Sequence, residues 1–433
     1  MRIVVFGLWH LGLVTAACLA DKKFDVIGLD PSSDKINNLS NGIPQISEPR
    51  LDYLLHTGRV SKKLIFTGNI KKALNKTDIV WVTFDTPIDN TDKADVTYVT
   101  NQIKSLFEYL EPNSVVLISS QLPVGSTRQL ETEFINKHSK NVTFAYSPEN
   151  LRLGVALESF NNPDRIVIGL TQPNNIEGKT KIENVLKAIS KNIEWMSAES
   201  AEMTKHSLNA FLATSISFAN EVATICEKVG ANYKEVERGL KTDSRIGKKA
   251  YLKAGASYAG GTLARDVIFL NEISKNNNLS SSLLKSVNKS NNLHKTWTLN
   301  TLERELNKIE GKNIAVLGLT YKPDTNTLRR SNSIELCNAL VKKQCIVKCN
   351  DPSLNELPKN LKQKFKFSKS IEDTIKYTDA IVIATEWKQF KELTIDSILK
   401  CVHTPIIIDA NGFLEEQLGN KPDKIRYVSV GRR

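Results

Sequence analysis

Residues 2–30 read RIVVFGLWHLGLVTAACLADKKFDVIGLD, and the rest of the chain is interpreted from this stretch. The apolar run 3–6 predicts a buried strand, 11–21 an apolar-periodic helix, and 25–29 a second strand closing on Asp30, which together make a βαβ unit. The turn between strand and helix is Gly7-Leu8-Trp9-His10-Leu11-Gly12. It keeps the first and third glycines of a dinucleotide fingerprint, and Asp30 follows at the spacing of the acid that meets an adenosine ribose. Trp9 occupies the place of the middle glycine, so its side chain must point elsewhere or reshape the loop. An acid at Asp30 accepts hydrogen bonds from the ribose hydroxyls and repels a 2′-phosphate, which predicts NAD rather than NADP.

Moving outward, apolar runs at 79–83, 114–118 and 165–169 alternate with helical stretches and predict a mainly parallel sheet covered on both faces. From about 198 to 292 the pattern turns helical, opening with AESAEMTKHSLNAFLATSISFANEVATICEKVG and stopping at Gly230. Strand-like runs return at 313–317, 346–350, 380–383 and 406–408. Two segments echo earlier ones: IAVLGL at 314 repeats IVVFGL at 3, and TDAIVIATEW at 378 repeats TDIVWVTFDTP at 77. The expected architecture is α/β, with two doubly wound Rossmann-like domains (1–197 and 296–433) joined by a helical central region (198–295) with a long connecting helix.

The 433 residues are 40% hydrophobic and 24% charged, with no apolar run of the roughly 18 residues that a membrane span requires. The net charge of +12 does not indicate a nucleic-acid binder, because the lysines are scattered and the aromatics form no RNA-binding motif. A basic surface of this kind also suits anionic nucleotides. Cys18, Cys226, Cys337, Cys345, Cys349 and Cys401 stand singly without metal-ligand spacing, which predicts six free thiols in a reducing cytoplasm and no metal site.

Several segments, in order, resemble the UDP-glucose/GDP-mannose dehydrogenase family over nearly the whole chain. Phe84-Asp85-Thr86-Pro87 is similar to the family's threonine-proline turn beside the cofactor, and LPVGST at 122–127 to its proline-valine-glycine-threonine loop. SPENLR at 147–152 and PDRIVIG at 163–169 resemble its PEFLREG and PDRIVIG signatures. Tyr321-Lys322-Pro323-Asp324 with Leu328-Arg329 resembles FKPDTDDLR, and Asp351-Pro352 and Glu386-Trp387 match further second-domain signatures. The resemblance implies a cytoplasmic NAD enzyme of polysaccharide biosynthesis acting on a nucleotide sugar, working as a homodimer, with no nucleic-acid or membrane partner.

Site residues follow from the same likeness. Gly7, Trp9, His10, Leu11, Gly12, Asp30, Thr86, Pro87, Gln121 and Arg329 are expected around NAD. Leu151, Arg152, Arg245, Tyr258, Gly260, Gly261, Arg265, Tyr321 and Lys322 are expected around the nucleotide sugar, with Arg245 reaching it from the partner subunit. Lys205 and Asn209, four residues apart on one helix face, match residues that face the reacting carbon. There an ammonium stabilises developing oxyanion charge and an amide orders the oxygen or a water.

The segment GASYAGGTLARD at 255–266 is similar to the family's GxGFGGSCFPKD, in which cysteine captures the C6 aldehyde and carries it to the acid through a thioester. Thr262 stands at that cysteine's place, Arg265 at the lysine's, and Asp266 is retained. Gln121 replaces a family threonine and Leu153 a second glutamate, while Glu149 is kept. These changes cluster at one reacting centre and predict hydride transfer from a sugar alcohol carbon, assisted by Glu149, Lys205, Asn209 and Asp266, with no covalent intermediate at Thr262. Aldehyde and acid both remain open as the product, as does an epimerase-like cycle with retained NAD. A non-catalytic nucleotide-sugar binder is the competing class, and retention of Lys205, Asn209 and Asp266 argues against it.

Overall fold

β1, Arg2–Phe6, carries Ile3 and Val5 into one hydrophobic core and Val4 and Phe6 into another. Successive side chains of a strand point to opposite faces, so a strand with no polar face must lie inside a sheet covered on both sides. The computed structural model describes residues 1–46, 48–87, 94–149, 151, 154–259, 261–419 and 423–432. The chain divides into two units, Met1–Leu208 and Asn209–Arg433.

In the first unit β1 is followed by β2 Asp25–Leu29, β3 Leu64–Thr67, β4 Ile79–Val82, β5 Val115–Ile118, β6 Thr143–Tyr146, β7 Ile166–Leu170 and β8 Ile193–Ser197. They form one sheet in the order β3-β2-β1-β4-β5-β6-β7-β8. Every neighbouring pair is parallel except β6 and β7, where Ala145 faces Leu170 and Tyr146 faces Gly169 in antiparallel register. The helix His10–Asp21 buries ten consecutive residues, Leu11 to Ala20, between sheet and neighbours.

The second unit repeats the plan with β9 Asn313–Leu317, β10 Ile346–Asn350, β11 Lys366–Phe367, β12 Ala380–Ile383, β13 Ile406–Ile408 and β14 Arg426–Val428, ordered β11-β10-β9-β12-β13-β14 and all parallel. Asp351, after β10, accepts from the amides of Leu319 (2.7 Å) and Thr320 (3.0 Å) in the turn after β9. The next helix, Asn332–Lys342, starts well downstream in sequence, yet its N-cap Ser331 donates to the Leu319 carbonyl at 2.6 Å, which brings the helix N-terminus beside that turn. Before this sheet come the helices Tyr233–Thr242, Thr262–Asn276 and Ser282–His294, with a small core of Ala210, Ala213, Tyr258, Val267 and Val287.

The helix Ala198–Val229 has 32 residues, roughly 48 Å at 1.5 Å per residue. It ends where the sequence predicts, at Gly230 with φ +78°, a left-handed conformation that costs glycine little. The α/β class, the two parallel sheets and the helical middle agree with the sequence reading. β3, β6, β8, β11 and β14 were not anticipated: β8 is half-exposed along its length and β11 has two residues, so neither shows a buried apolar run. Among the described residues no helix is long and apolar enough to cross a membrane.

Candidate functional site

The glycine turn is built by close packing. Gly7 has φ +101°, and a Cβ there would lie 2.8 Å from the Phe84 ring; a Cβ on Gly12 would lie 1.9 Å from the Gly7 carbonyl oxygen. Both positions exclude any side chain. Trp9 is different: its φ of −99° and ψ of −151° are open to any residue, and the indole is 43% exposed. The expected conflict at the middle glycine is therefore met by pointing the side chain outward, with the backbone turn unaltered. Trp9 is the N-cap of the helix His10–Asp21 and provides no side-chain cap, so the first-turn amides are left for an external acceptor. That arrangement fits a pyrophosphate.

Asp30 is buried to 1% exposure. Its Oδ2 accepts from the Leu8 amide and from Lys35 Nζ, both at 2.7 Å, and Oδ1 accepts from the Ser32 amide at 3.0 Å. The acid thus braces the glycine turn through the Leu8 amide. Lys35 was missed by the sequence reading, since it looks like one more surface lysine; its distance of five residues from the acid was the available signal. Asp30→Ala is expected to weaken NAD binding about tenfold while affecting NADP less, because Lys35 is then left to meet a 2′-phosphate; calorimetric titration of both nucleotides checks this.

Thr86 is buried and its hydroxyl donates to the Gln121 carbonyl, joining two turns expected beside the cofactor, whereas Pro87 is exposed. The helix Ser126–Ile135 that follows the second turn is anchored by Glu202, fully buried on the long helix, which accepts from Gly125 N–H (2.6 Å), Thr127 N–H (2.9 Å) and the Thr127 hydroxyl (2.7 Å). Burial pushes the Glu202 carboxyl up, against those three hydrogen bonds.

Glu149 follows β6 and sits beside Lys205, whose Nζ donates to the Glu149 backbone carbonyl. The Glu149 Oε1 is sealed from solvent and has no hydrogen-bond partner among the described residues. Desolvation raises its carboxyl to about 7; the Lys205 charge opposes the rise and Asp85 adds to it. A carboxyl poised there can take a proton near neutral pH. Leu151 packs on the first-unit core, and Arg152 lies outside the described residues.

In the second unit the buried Asn209 amide donates to Asp266, which is wholly buried on the helix Thr262–Asn276. Thr262 is the exposed first residue of that helix, after Gly261 with φ +118°; Gly260 lies outside the described residues. Arg265 is half-buried. Tyr258 is 8% exposed, its hydroxyl donating to Asn288 Oδ1 at 2.8 Å, and burial raises it to about 12. The Arg245 side chain is 87% exposed and pairs with its near neighbour Asp243 at 2.7 Å. Lys322 lies 5.7 Å over the Tyr321 ring, and Arg329 is exposed in the same loop. A cavity of about 540 Å³ lies between the helix Tyr233–Thr242 and the 410–412 turn; it is lined by Lys234, Arg238, Lys241, Lys248 and Lys253 among others, and by none of the expected substrate residues. Five of the six cysteines are buried and Cys401 half-buried, with burial pushing Cys18 and Cys349 to about 12. Among the described residues no cluster suits a metal ion.

A parallel sheet ending in a glycine turn, an uncapped helix and a buried acid defines a dinucleotide-binding α/β protein. Comparison with known proteins takes this further. The NAD binding, central and UDP binding domains of the UDP-glucose/GDP-mannose dehydrogenase family match residues 1–191, 199–293 and 315–416. UDP-glucose 6-dehydrogenase of Rickettsia conorii is 34% identical over 438 residues, covering 100% of both chains, and TuaD, a UDP-glucose 6-dehydrogenase of Bacillus subtilis, is 32% identical over all of this chain and 93% of its own. Among solved structures, a UDP-glucose dehydrogenase from Pyrobaculum islandicum superposes with a TM-score of 0.86 at 26% identity, covering 100% of this chain and 98% of its own. The chain belongs to the UDP-glucose/GDP-mannose dehydrogenase family. It is an NAD-dependent oxidoreductase acting on a CH–OH group.

Proposed function

We propose that the chain oxidises the C6 alcohol of a UDP- or GDP-linked sugar and forms no covalent intermediate with a cysteine. The observation that carries the reading is Thr262 at the head of its helix, with Asp266 one turn on and bonded to Asn209. The binding and proton-handling groups are retained while a threonine stands where the family uses its thiol. None of the six cysteines falls in 255–266, and the burial of five of them supports the view that no other thiol substitutes.

NAD supplies the hydride acceptor. Lys205 leaves the Glu149 carbonyl to meet the sugar oxygen as charge develops on it. Glu149, desolvated and close to neutral in pKa, takes the hydroxyl proton directly or through water. Asn209, held by Asp266, orders the oxygen or a water. Thr262 does not attack, because an alcohol ionises far less readily than a thiol and is a poor leaving group. Purified protein incubated with NAD and a panel of nucleotide sugars tests this: one NADH per sugar and an aldehyde, or two and an acid without a trapped adduct, support it. A sugar covalently held on any cysteine of the chain refutes it.

Residues 1–197, 198–295 and 296–433 serve in this reading as cofactor, assembly and nucleotide-sugar domains. Assembly is a homodimer on the long helix. Phe211, Phe218, Ile225 and Val229 are 67%, 49%, 60% and 72% exposed and recur at near-heptad spacing, so they share one stripe. Arg245, exposed and bound only to Asp243 among the described residues, suits a residue offered to a partner's site. Light scattering should return about twice the 48.4 kDa chain mass at micromolar concentration, and Phe211→Asp with Phe218→Asp should return the single-chain value. A single-chain mass for the unaltered protein would exclude the dimer.

A further inference from the structure

The chain has five tryptophans, and the fold uses four of them. Trp81 and Trp297 are buried, and each donates its Nε1–H at 2.9 Å, to Ser119 Oγ and Glu227 Oε1 respectively. Trp387 is buried and donates to the Thr320 hydroxyl at 3.2 Å. Trp195 is half-buried, with Lys179 Nζ 4.9 Å from its ring centre. Trp9 differs from all four. Its indole is 43% exposed and lies outside both hydrophobic cores of the first unit. Among the described residues it makes no hydrogen bond, ring contact or cation contact. The residues around it are committed inward: Leu8 is fully buried and Leu11 is 7% exposed. His10 Nε2 bonds at 2.7 Å to Oε1 of Glu48, whose wholly buried carboxylate also accepts from the amides of Gly154 (2.8 Å) and Ala156 (3.3 Å).

Trp9 therefore contributes nothing visible to folding, although a tryptophan left in water forgoes the burial and the N–H partner it ordinarily finds. It stands as N-cap of a helix whose first-turn amides have no side-chain cap, within the match to the family's NAD binding domain. We propose that Trp9 is a cofactor-binding residue whose indole covers the NAD pyrophosphate on its solvent side and donates Nε1–H to a phosphate oxygen. A glycine at this place in the usual fingerprint only lets the backbone approach the phosphates, whereas an indole adds an apolar face and a donor. Excluding water from one side of the phosphates also strengthens their attraction to the first-turn amides. The proposal needs NAD to bind at this turn and is independent of how the sugar is oxidised.

Calorimetric titration of the unaltered protein, Trp9→Gly and Trp9→Phe with NAD and with ADP-ribose tests it. Trp9→Gly restores the usual fingerprint and keeps a tolerated N-cap residue, so its melting temperature should match that of the unaltered protein. Kd for both ligands should rise about tenfold in Trp9→Gly and about threefold in Trp9→Phe, which keeps an aromatic cover and loses the donor. Tryptophan emission gives a second readout: NAD should quench the exposed indole, and most of that quenching should vanish in Trp9→Phe. NAD affinity unchanged or tightened in Trp9→Gly overturns the proposal, as does quenching that survives intact in Trp9→Phe. Neither readout requires turnover, so failure of the cysteine-free reading would leave the result standing.

Discussion

Lys205→Ala is expected to lower turnover at saturating NAD and nucleotide sugar about a hundredfold, roughly 3 kcal/mol of transition-state stabilisation, whereas Thr262→Ala should cost less than about fivefold. The contrast arises from what each group can do. The Lys205 ammonium is half-buried beside Glu149, where water screens its charge poorly, so an oxyanion forming within reach gains much more from it than it would in bulk water. Thr262 is exposed at the head of its helix, and its hydroxyl, an ordinary alcohol, ionises far less readily than a thiol. Steady-state kinetics on the two variants decide the matter, together with peptide mass analysis of quenched reactions. Comparable losses, or a sugar trapped on Thr262, would show that the hydroxyl shares the transition state. Alkylation of thiols should leave the activity of the unaltered protein largely intact, since five of its cysteines are buried.

Glu149→Gln should cost roughly a hundred- to a thousandfold in kcat, and it should also remove the acid limb of the pH profile. In the unaltered protein kcat should fall about tenfold per pH unit below about 7, because the buried carboxyl is protonated there and cannot accept the hydroxyl proton. Stability runs the other way. A carboxyl raised from its ordinary range to about 7 favours the folded state fully only at acid pH, and that contribution is lost as pH rises toward 7 and the buried group must ionise. Glu149→Gln should therefore melt higher than the unaltered protein at pH 8 and no higher at pH 4.5. A pH profile unchanged by the substitution would remove Glu149 from the proton path.

Much of this was legible in the sequence because burial leaves a simple mark. β1, β4, β5, β9 and β12 are short apolar runs with almost no exposed residue, and the glycines at 7 and 12 stand where no Cβ can fit. Lys205, Asn209 and Asp266 could be chosen because their order resembles a family, and the bonds of Lys205 to Glu149 and of Asn209 to Asp266 are then consistent with that choice. Glu48 and Glu202 escaped notice for one reason: a charged residue read alone looks solvated, and the amides that make its burial tolerable lie as far as 108 positions away for Glu48. Periodicity carries no information about such partners. At Trp9 the sequence leaves two outcomes, a side chain directed elsewhere or a reshaped loop, and the extended backbone there lets the indole point outward.

The one antiparallel neighbour pair in the first sheet, β6 with β7, has a wider consequence. A parallel crossover would have carried the chain to the opposite rim before β7 began. Because β7 runs back beside β6, the whole connection from Ser147 to Arg165 leaves and re-enters the sheet on the rim where the glycine turn lies. Its length is therefore unconstrained by the thickness of the fold. Change in that connection is nonetheless felt at the turn itself, because the connection carries Glu149 and the Gly154 and Ala156 amides, which Glu48 ties to His10.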